Sequence, residues 1–264
     1  LASGLLTAEL KPRLKCALEL YTACLWDHDV APMQEGTDMN WGPANMASMW
    51  LGMRYIYTLM LASHPRYAER ARGISEVAVK QLHDYVNEYG ASNASTHYTG
   101  ASIIPILNLM QQLQMSGIKD HFRDELLLQK FAEFYLQQLT PPEGRFGGVR
   151  KIVAIGDGST EASVVHGQLG TVFASSHPEL SKRLMGAWNS MGQPHNQFFG
   201  PSLLKIDSLL PAVSPDLGSA QFRGWCSVLR YGWGTTNEPA IWFVNGDTLT
   251  DHRHNDQGQV LIYA

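Results

Sequence analysis

A polar run between two predicted strands carries the most distinctive pattern of the sequence. His252, His254 and Asp256 occupy alternate positions within the segment 251–258. Alternate side chains of an extended strand point to the same face, so these three could share a metal ion or a substrate. A solvated polar loop would account for the same residues. A zinc site would also need at least one further ligand.

A tyrosine lies where a second polar segment, 93–102, leads into a predicted helix that continues past Pro105. We expect Pro105 near the first turn of that helix, where its missing N–H is tolerated. The phenol of Tyr98 would then face the positive end of the helix dipole, which favours its ionised form. The neighbouring Ser, Thr and Asn residues are typical of a helix N-cap, and capping alone would account for them.

A third polar segment, 37–46, leads into another predicted helix. It contains Asn40, Trp41 and Asn45, and an Asn near a helix start is usually a cap. Its side-chain amide could instead donate hydrogen bonds to an anionic group without carrying a charge itself. The sequence leaves both interpretations open.

The elements that must position these residues begin with a helical part. From residue 5 to about residue 191, apolar residues recur at helical spacing and the connections are short. The clearest predicted helices cover 44–62, 65–89, 101–115 and 120–139. Helices in series favour helical hairpins that pack side by side.

The pattern changes after Pro194, where alternating aromatic and β-branched residues predict strands. The predicted strands are 222–231, 240–244 and 259–263. A spacer rich in Pro, Gly and Ser separates them from the helices and is typical of a linker. We therefore predict a helical domain over 1–193, a linker over 194–220 and the first part of a β-sheet domain over 221–264.

Composition excludes several classes of protein. The chain has 264 residues, 44% hydrophobic and 17% charged, which permits a substantial core and excludes disorder as its main state. With 20 Lys and Arg against 24 Asp and Glu, the net charge of −4 argues against a nucleic-acid partner. The 3 Cys have no CxxC spacing, so they form neither a disulfide framework nor a Cys-based zinc site. No apolar run is long enough to predict a membrane span.

The polar run that contains His252 supports a family resemblance. Together with the flanking stretches 241–247 and 259–263, it is similar to the His-x-His-x-Asp segment of heparinase II/III-like polysaccharide lyases. Asn45 also precedes Tyr98 by 53 positions (98 minus 45), similar to the interval between the family's catalytic Asn and Tyr.

The resemblance implies an α+β multidomain fold. In this family an incomplete (α/α) toroid of helical hairpins is followed by an antiparallel β-sheet (sandwich) domain. This is the order of elements predicted here. The chain starts without Met and stops within a predicted strand, so we expect a fragment that is truncated within the sheet domain.

The resemblance also implies a reaction, the β-elimination of an acidic, uronic-acid-containing polysaccharide by a carbon–oxygen lyase. Asn45 would neutralise the uronate carboxylate, Tyr98 would transfer protons, and His252 would act as a base or favour the tyrosinate. No cofactor is required. His254 matches a zinc ligand of some family members, which implies a structural zinc ion in the full-length protein.

Further residues are predicted to bind the substrate. Asn40, Trp41 and His97 belong to the polar segments described above, and the Trp41 ring could stack on a sugar face. Arg150 and Arg253 could clamp a carboxylate or sulfate group, although Arg side chains are most often solvated at the surface. Because such polysaccharides occur outside the cytoplasm, we expect a periplasmic or secreted protein.

Two other functions stay open. A glycoside hydrolase on an α/α barrel would need two carboxylates flanking the scissile bond, and Asp38, Asp157 and Glu161 are candidates. A non-catalytic carbohydrate-binding protein would use the same polar loops only to shape a cleft.

Overall fold

The computed structural model describes residues 6–27, 44–92, 95–195, 205–245 and 258–263, with the backbone alone for 44–51. Within these ranges the chain is helical up to residue 190 and forms strands from residue 220. The helices are α1 Leu10–Leu25, α2 Ala44–Met60, α3 Ala68–Arg72, α4 Ile74–Tyr85, α5 Thr96–Met115, α6 His121–Asp124, α7 Leu126–Leu136, α8 Val165–Phe173 and α9 Pro178–Ser190. None of the helices in the described ranges combines the length and apolar character that a membrane crossing requires.

The helices pack in pairs. The indole N–H of Trp26, directly after α1, donates to the hydroxyl of Thr58 in α2 at 2.9 Å. The turn between α4 and α5 is closed by an antiparallel bridge between Val86 and Ser92. The hydroxyl of Ser181 in α9 donates to a carbonyl of α8 at 2.6 Å. The predicted arrangement of helical hairpins is confirmed.

Two stretches predicted as single helices are split. The stretch 65–89 contains α3 and α4, with Gly73 between them. The stretch 120–139 contains α6 and α7, because Glu125 adopts an extended backbone with φ −88° and ψ 101°. Its carboxylate accepts a hydrogen bond from the N–H of Leu127 at 3.3 Å and so caps α7. Helical spacing located these helices, but it did not show where each one stops.

α5 begins earlier than predicted, at Thr96 instead of residue 101. Pro105 consequently lies inside α5 and not in its first turn. At that position the proline removes one backbone hydrogen bond of the helix. The correction matters for the site, because it places His97 and Tyr98 within the first turn of α5.

A four-stranded antiparallel sheet in the order β1-β2-β3-β4 follows the helices. Its strands are β1 Ala220–Phe222, β2 Cys226–Arg230, β3 Ala240–Val244 and β4 Val260–Tyr263. The stretch predicted as one strand over 222–231 turns back on itself at Gly224, whose φ of +75° favours glycine. With that correction, the predicted class is confirmed: the fold is α+β, with helical hairpins followed by an antiparallel sheet.

One face of the sheet packs against the helices. On β3, Trp242 is fully buried and the next residue, Phe243, is exposed, as expected where alternate side chains face opposite ways. The indole N–H of Trp242 donates to the carbonyl of Gln137 at 3.2 Å. The ring of Phe134 in α7 meets Trp225 edge-on, with ring centroids 4.9 Å apart. Helices and sheet therefore share one hydrophobic core. The domain boundaries predicted at residues 193 and 220 stay a prediction.

A buried carboxylate, that of Glu238, ties the sheet to the segment that follows α7. It accepts two hydrogen bonds from Arg150, at 2.7 and 2.6 Å, and one from Arg230 at 3.1 Å. Arg230 also donates to the carbonyl of Leu139 at 2.6 Å. Burial alone would raise the pKa of Glu238, but the hydrogen bonds from Arg150 and Gly234 and the charges of both arginines hold that pKa below its ordinary value.

Replacing this carboxylate should destabilise the protein strongly. In Glu238→Ala, two buried guanidinium groups lose their counter-charge, so we expect the free energy of unfolding to fall by about 3–5 kcal/mol. Denaturation by urea measures the change. The control is Glu179→Ala, because Glu179 is 80% exposed and pairs with Lys182 on the surface of α9. That variant should shift the free energy by about 0–1 kcal/mol, and equal losses in the two variants would contradict the prediction.

His166 of α8 is a buried histidine that stays neutral in the folded protein. Its Nε2 donates to the carbonyl of Tyr135 at 3.1 Å, and the two rings lie 4.7 Å apart between centroids. Burial lowers the pKa of His166 to about 3. An unfolded histidine titrates near pH 6.5, so between these two values the unfolded chain binds one more proton. The contribution of the neutral His166 to the free energy of unfolding is therefore fully present above about pH 6.5. It is lost as the pH falls towards 3.

Removal of this histidine should flatten the acid side of the stability curve. We expect the free energy of unfolding of His166→Gln to fall less steeply than that of the wild type below pH 6.5, by up to about 1.4 kcal/mol per pH unit. Urea denaturation at a series of pH values measures both curves. The exposed His83 supplies the control, since His83→Gln should retain the wild-type slope. Parallel curves for His166→Gln and the wild type would refute this prediction.

Candidate active site

The first turn of α5 holds two of the predicted site residues. Ser95 precedes the helix, and its hydroxyl accepts a hydrogen bond from the N–H of Tyr98 at 3.4 Å. His97 and Tyr98 are the second and third residues of α5, and both are partly buried. Backbone N–H groups at a helix start produce a positive potential, so both side chains lie where negative charge is favoured.

A loop, residues 155–161, lies across this helix start. The N–H of Thr96 donates to the carbonyl of Ile155 at 3.1 Å, and the Thr96 hydroxyl accepts from the N–H of Ile155 at 3.0 Å. The hydroxyl of Ser95 donates to the carbonyl of Asp157 at 3.1 Å. These bonds hold the loop against the first turn of α5.

Glu161, at the end of this loop, pairs with His97. Its Oε1 lies 2.6 Å from Nδ1 of the imidazole, and the two side chains are 21% and 12% exposed. The imidazole in turn meets the ring of Tyr98 edge-on, with centroids 5.0 Å apart and planes at 83°. The carboxylate, the imidazole and the phenol ring thus form one continuous cluster.

α2 packs alongside α5. Gly52 of α2 lies against Pro105 of α5, so close that a Cβ on the glycine would be 3.1 Å from the Cβ of the proline. Asn45 and Tyr98 each lie seven residues before this contact (52 minus 45 and 105 minus 98), which corresponds to two helical turns. The backbone therefore places both predicted catalytic residues in the first turns of neighbouring helices.

The other predicted residues of the two remaining polar segments lie outside the described residues. These are Asn40, Trp41, His252, Arg253 and His254. Within the described ranges, no group of three or more His, Cys, Asp or Glu side chains is placed to hold a metal ion. The predicted zinc ligand, His254, does not belong to those ranges.

The sheet shows where the segment 246–257 leaves and returns. The N–H of Asn245 donates to the carbonyl of Trp225 at 3.0 Å, and the N–H of Gly258 donates to the carbonyl of Val244 at 2.8 Å. At the same end of the sheet, the carbonyl of Arg223 accepts a hydrogen bond from the side chain of Asn87 at 3.1 Å. Asn87 lies between α4 and α5, so the end of the sheet that carries 246–257 is joined to the chain leading into α5.

Arg150, predicted as a clamp for a substrate anion, is 5% exposed. Its guanidinium binds Glu238 and the carbonyl of Thr140, and it lies over the ring of Trp233 at 3.7 Å from the centroid. These contacts give Arg150 a role in joining the helices to the sheet.

A cavity of about 730 Å³ lies at the other end of the sheet. The turn 234–236, the segment 141–145 and Tyr263 line it, together with Glu238. None of the predicted site residues is among those that line this cavity. The cluster at the start of α5 therefore lies outside this cavity.

Sequence reasoning named Glu161 only as a carboxylate for the alternative hydrolase. Its partner His97 is 64 positions away, and no local spacing connects the two residues. The one signal in the sequence is the capping cluster before Tyr98, which locates the helix start but not the loop that covers it.

The fold is similar to that of solved polysaccharide-lyase structures. Two structures of heparinase III (the BT4657 gene product, one with methylated lysines) have a TM-score of 0.58 at 15% and 14% identity, and the match covers 89% of this chain and 32% of theirs. A heparan sulfate lyase, a HepC mutant from Pedobacter heparinus, has a TM-score of 0.57 at 11% identity and is matched over 31% of its length. The expected fold resemblance is confirmed, and this chain spans about a third of the length of these proteins. No protein-family model and no curated protein matches the sequence.

Loss of the Ser95 cap should loosen the cluster. In Ser95→Ala the first turn of α5 loses its cap and its bond to Asp157, so we expect a loss of about 0.5–2 kcal/mol in stability and faster amide exchange at Tyr98. Hydrogen exchange measured residue by residue tests this. Asp120→Ala removes another cap, one that accepts from Arg123 N–H at 3.3 Å at the start of α6. If Asp120→Ala speeds exchange at Tyr98 as much as Ser95→Ala does, the cap is not what orders the site.

Proposed function

We propose that the protein cleaves an acidic, uronic-acid-containing polysaccharide by β-elimination. The observation that carries the proposal is the position of Tyr98, in the first turn of α5 and beside the His97–Glu161 pair. Its support comes from the fold, which resembles heparinase III and a heparan sulfate lyase with TM-scores of 0.58 and 0.57. Because the name of the second specifies heparan sulfate, that polysaccharide is the first substrate to test.

The reaction poses two physical problems. The C5 proton of a uronate is weakly acidic, and the intermediate adds negative charge beside a carboxylate that is already ionised. Donors directed at that carboxylate must neutralise it, and a base and an acid must lie within hydrogen-bond reach of the proton and the leaving oxygen. A site that solves both problems needs an uncharged or positive donor and two proton-transfer groups.

Three residues fill these roles in the proposed mechanism. Asn45 donates its amide N–H groups to the uronate carboxylate, because an amide donates without being charged. Tyr98 protonates the leaving 4-linked oxygen and, once ionised, acts as a base; the positive end of the α5 dipole favours that ionised form. His252 acts as the base on the other side of the ring, or favours the tyrosinate.

The backbone arrangement supports this grouping. α2 and α5 are each the second helix of a hairpin. When such hairpins stack side by side in the same orientation, the starts of their second helices lie at the same rim of the helical domain. Asn45 and Tyr98 lie equally far from the contact of Gly52 with Pro105. The sheet end that carries the segment 246–257 is joined to the chain before α5 through Asn87. The proposal therefore brings Asn45, Tyr98 and His252 to one rim.

Two further expectations belong to the proposal. The reaction needs no cofactor, and a zinc ion bound by His254 would be structural. A polysaccharide substrate would be met in the periplasm or outside the cell.

The product distinguishes this reaction from its alternatives. Incubation of the complete protein with heparan sulfate, hyaluronan or alginate should generate an unsaturated sugar, which absorbs in the ultraviolet. New reducing ends without that absorbance would indicate hydrolysis instead of elimination. Binding of the polymer with neither signal would identify a binding protein.

Removal of one hydroxyl tests the role of Tyr98. Tyr98→Phe should lower kcat by about 10²–10⁴-fold, because the proton donor for the leaving oxygen is lost, while binding of the polymer is nearly unchanged. The control is Tyr231→Phe, which removes a hydroxyl from a side chain that is 78% exposed and should leave kcat unchanged. Wild-type turnover by Tyr98→Phe would remove this residue from the mechanism.

A further inference from the structure

The pair of His97 with Glu161 differs from the exposed ion pairs of the protein. Lys80 with Asp84 and Lys182 with Glu179 each join neighbours on one helix, and their side chains are 34–80% exposed. Exposed pairs of that kind contribute little to stability. Glu161 instead connects a loop to the first turn of α5 across 64 positions of sequence, and its side chain and that of His97 are both partly buried.

The chemistry of the pair restricts the imidazole. An ionised carboxylate only accepts hydrogen bonds, so Nδ1 of His97 must carry a hydrogen and donate it to Oε1 of Glu161. A neutral imidazole bonded in this way has its lone pair on Nε2, and the hydrogen bond fixes the plane of the ring. The carboxylate thus selects both the tautomer and the orientation of His97.

The backbone on both sides of Glu161 is held before any substrate arrives. Its carbonyl accepts from the N–H of Ile152 at 2.7 Å. Earlier in the loop, Gly158 lies so close to α5 that an added Cβ would be 3.3 Å from the Cβ of His97. A carboxylate supported in this way can impose its geometry on the imidazole, whereas one on a loosely held loop would follow the imidazole instead.

We propose that Glu161 is a positioning residue of the active site. It fixes the tautomer and orientation of His97, and the edge-on contact of the imidazole with Tyr98 holds the phenol ring in place for proton transfer. This inference rests on the proposed function, because that function gives Tyr98 its role. In this inference Glu161 does not contact the substrate. The two carboxylates of a glycoside hydrolase, in contrast, would flank the scissile bond.

Kinetics of the complete protein provide the first test, with heparan sulfate as substrate. Glu161→Ala should lower kcat about 10–100-fold, by analogy with the loss found when the partner that orients a metal-binding histidine is removed, with KM nearly unchanged. Glu161→Gln should recover most of the activity, because its amide oxygen still accepts from Nδ1. The control is Glu133→Ala, which breaks the exposed contact with Arg183 at 2.5 Å and should leave kcat unchanged.

The tautomer of His97 provides a second readout that does not need activity. In ¹⁵N-histidine-labelled protein, with the signal assigned by its loss in His97→Gln, the wild type should show hydrogen on Nδ1, and Glu161→Ala should lose this preference. A wild-type imidazole with hydrogen on Nε2 alone would overturn the inference. So would an unchanged kcat in Glu161→Ala.

The two proposals can fail separately. If the wild type generates no unsaturated product from any polysaccharide, the proposed lyase function fails. The tautomer in the wild type and in Glu161→Ala then decides by itself whether Glu161 orients His97.

Discussion

The contact of Glu238 with two arginines determines how the sheet sits on the helices. Arg230 projects from β2, and Arg150 belongs to the segment that runs from the end of α7 towards the loop 155–161. A buried carboxylate without these partners would be costly, so the contact favours the observed position of the sheet on the helices. A shift of one residue in β3 would also expose Trp242 and bury Phe243 in its place. The ion network and the alternation of side chains therefore favour the same register.

The cluster of Glu161, His97 and Tyr98 is connected to this arrangement through the chain, although it lies elsewhere. The segment that contains Arg150 continues through Ile152, whose N–H binds the carbonyl of Glu161. From there the loop returns to the start of α5, where Thr96 and Ser95 hold it through their backbone and hydroxyl groups. The position of Glu161 relative to His97 is thus supported by backbone hydrogen bonds and by the hydroxyls of Ser95 and Thr96, in addition to the ion pair itself.

The sequence predicts the elements better than their ends. Spacing of apolar residues identifies the helices and most strands, because burial on one face imposes a period on the chain. It does not show the breaks, since Gly73, Glu125 and Gly224 each interrupt an apolar pattern that continues on both sides. Capping chemistry places polar residues before α5, but the helix starts five residues earlier than predicted (101 minus 96).

Long-range pairs lie beyond this kind of prediction. The sequence makes Arg150 a candidate clamp for a substrate anion, whereas in the structure its partner Glu238, 88 positions away, accounts for its burial. The sequence places His97 in a capping cluster, and its contact with Glu161, 64 positions away, is seen only in the structure. In both cases the role of the charged residue follows from a contact that only the tertiary fold creates.

A carboxylate near the proposed binding site of a polyanion would ordinarily repel the substrate. Two contacts of Glu161 reduce that repulsion: its Oε1 accepts a hydrogen bond from Nδ1 of His97, and it lies beside the positive end of α5. The net charge of −4 alone therefore does not describe this helix start, where nearby donors also contribute. A polyanion can approach such a site without a strongly basic protein, provided that the groups at the helix start outweigh the one carboxylate that orders them.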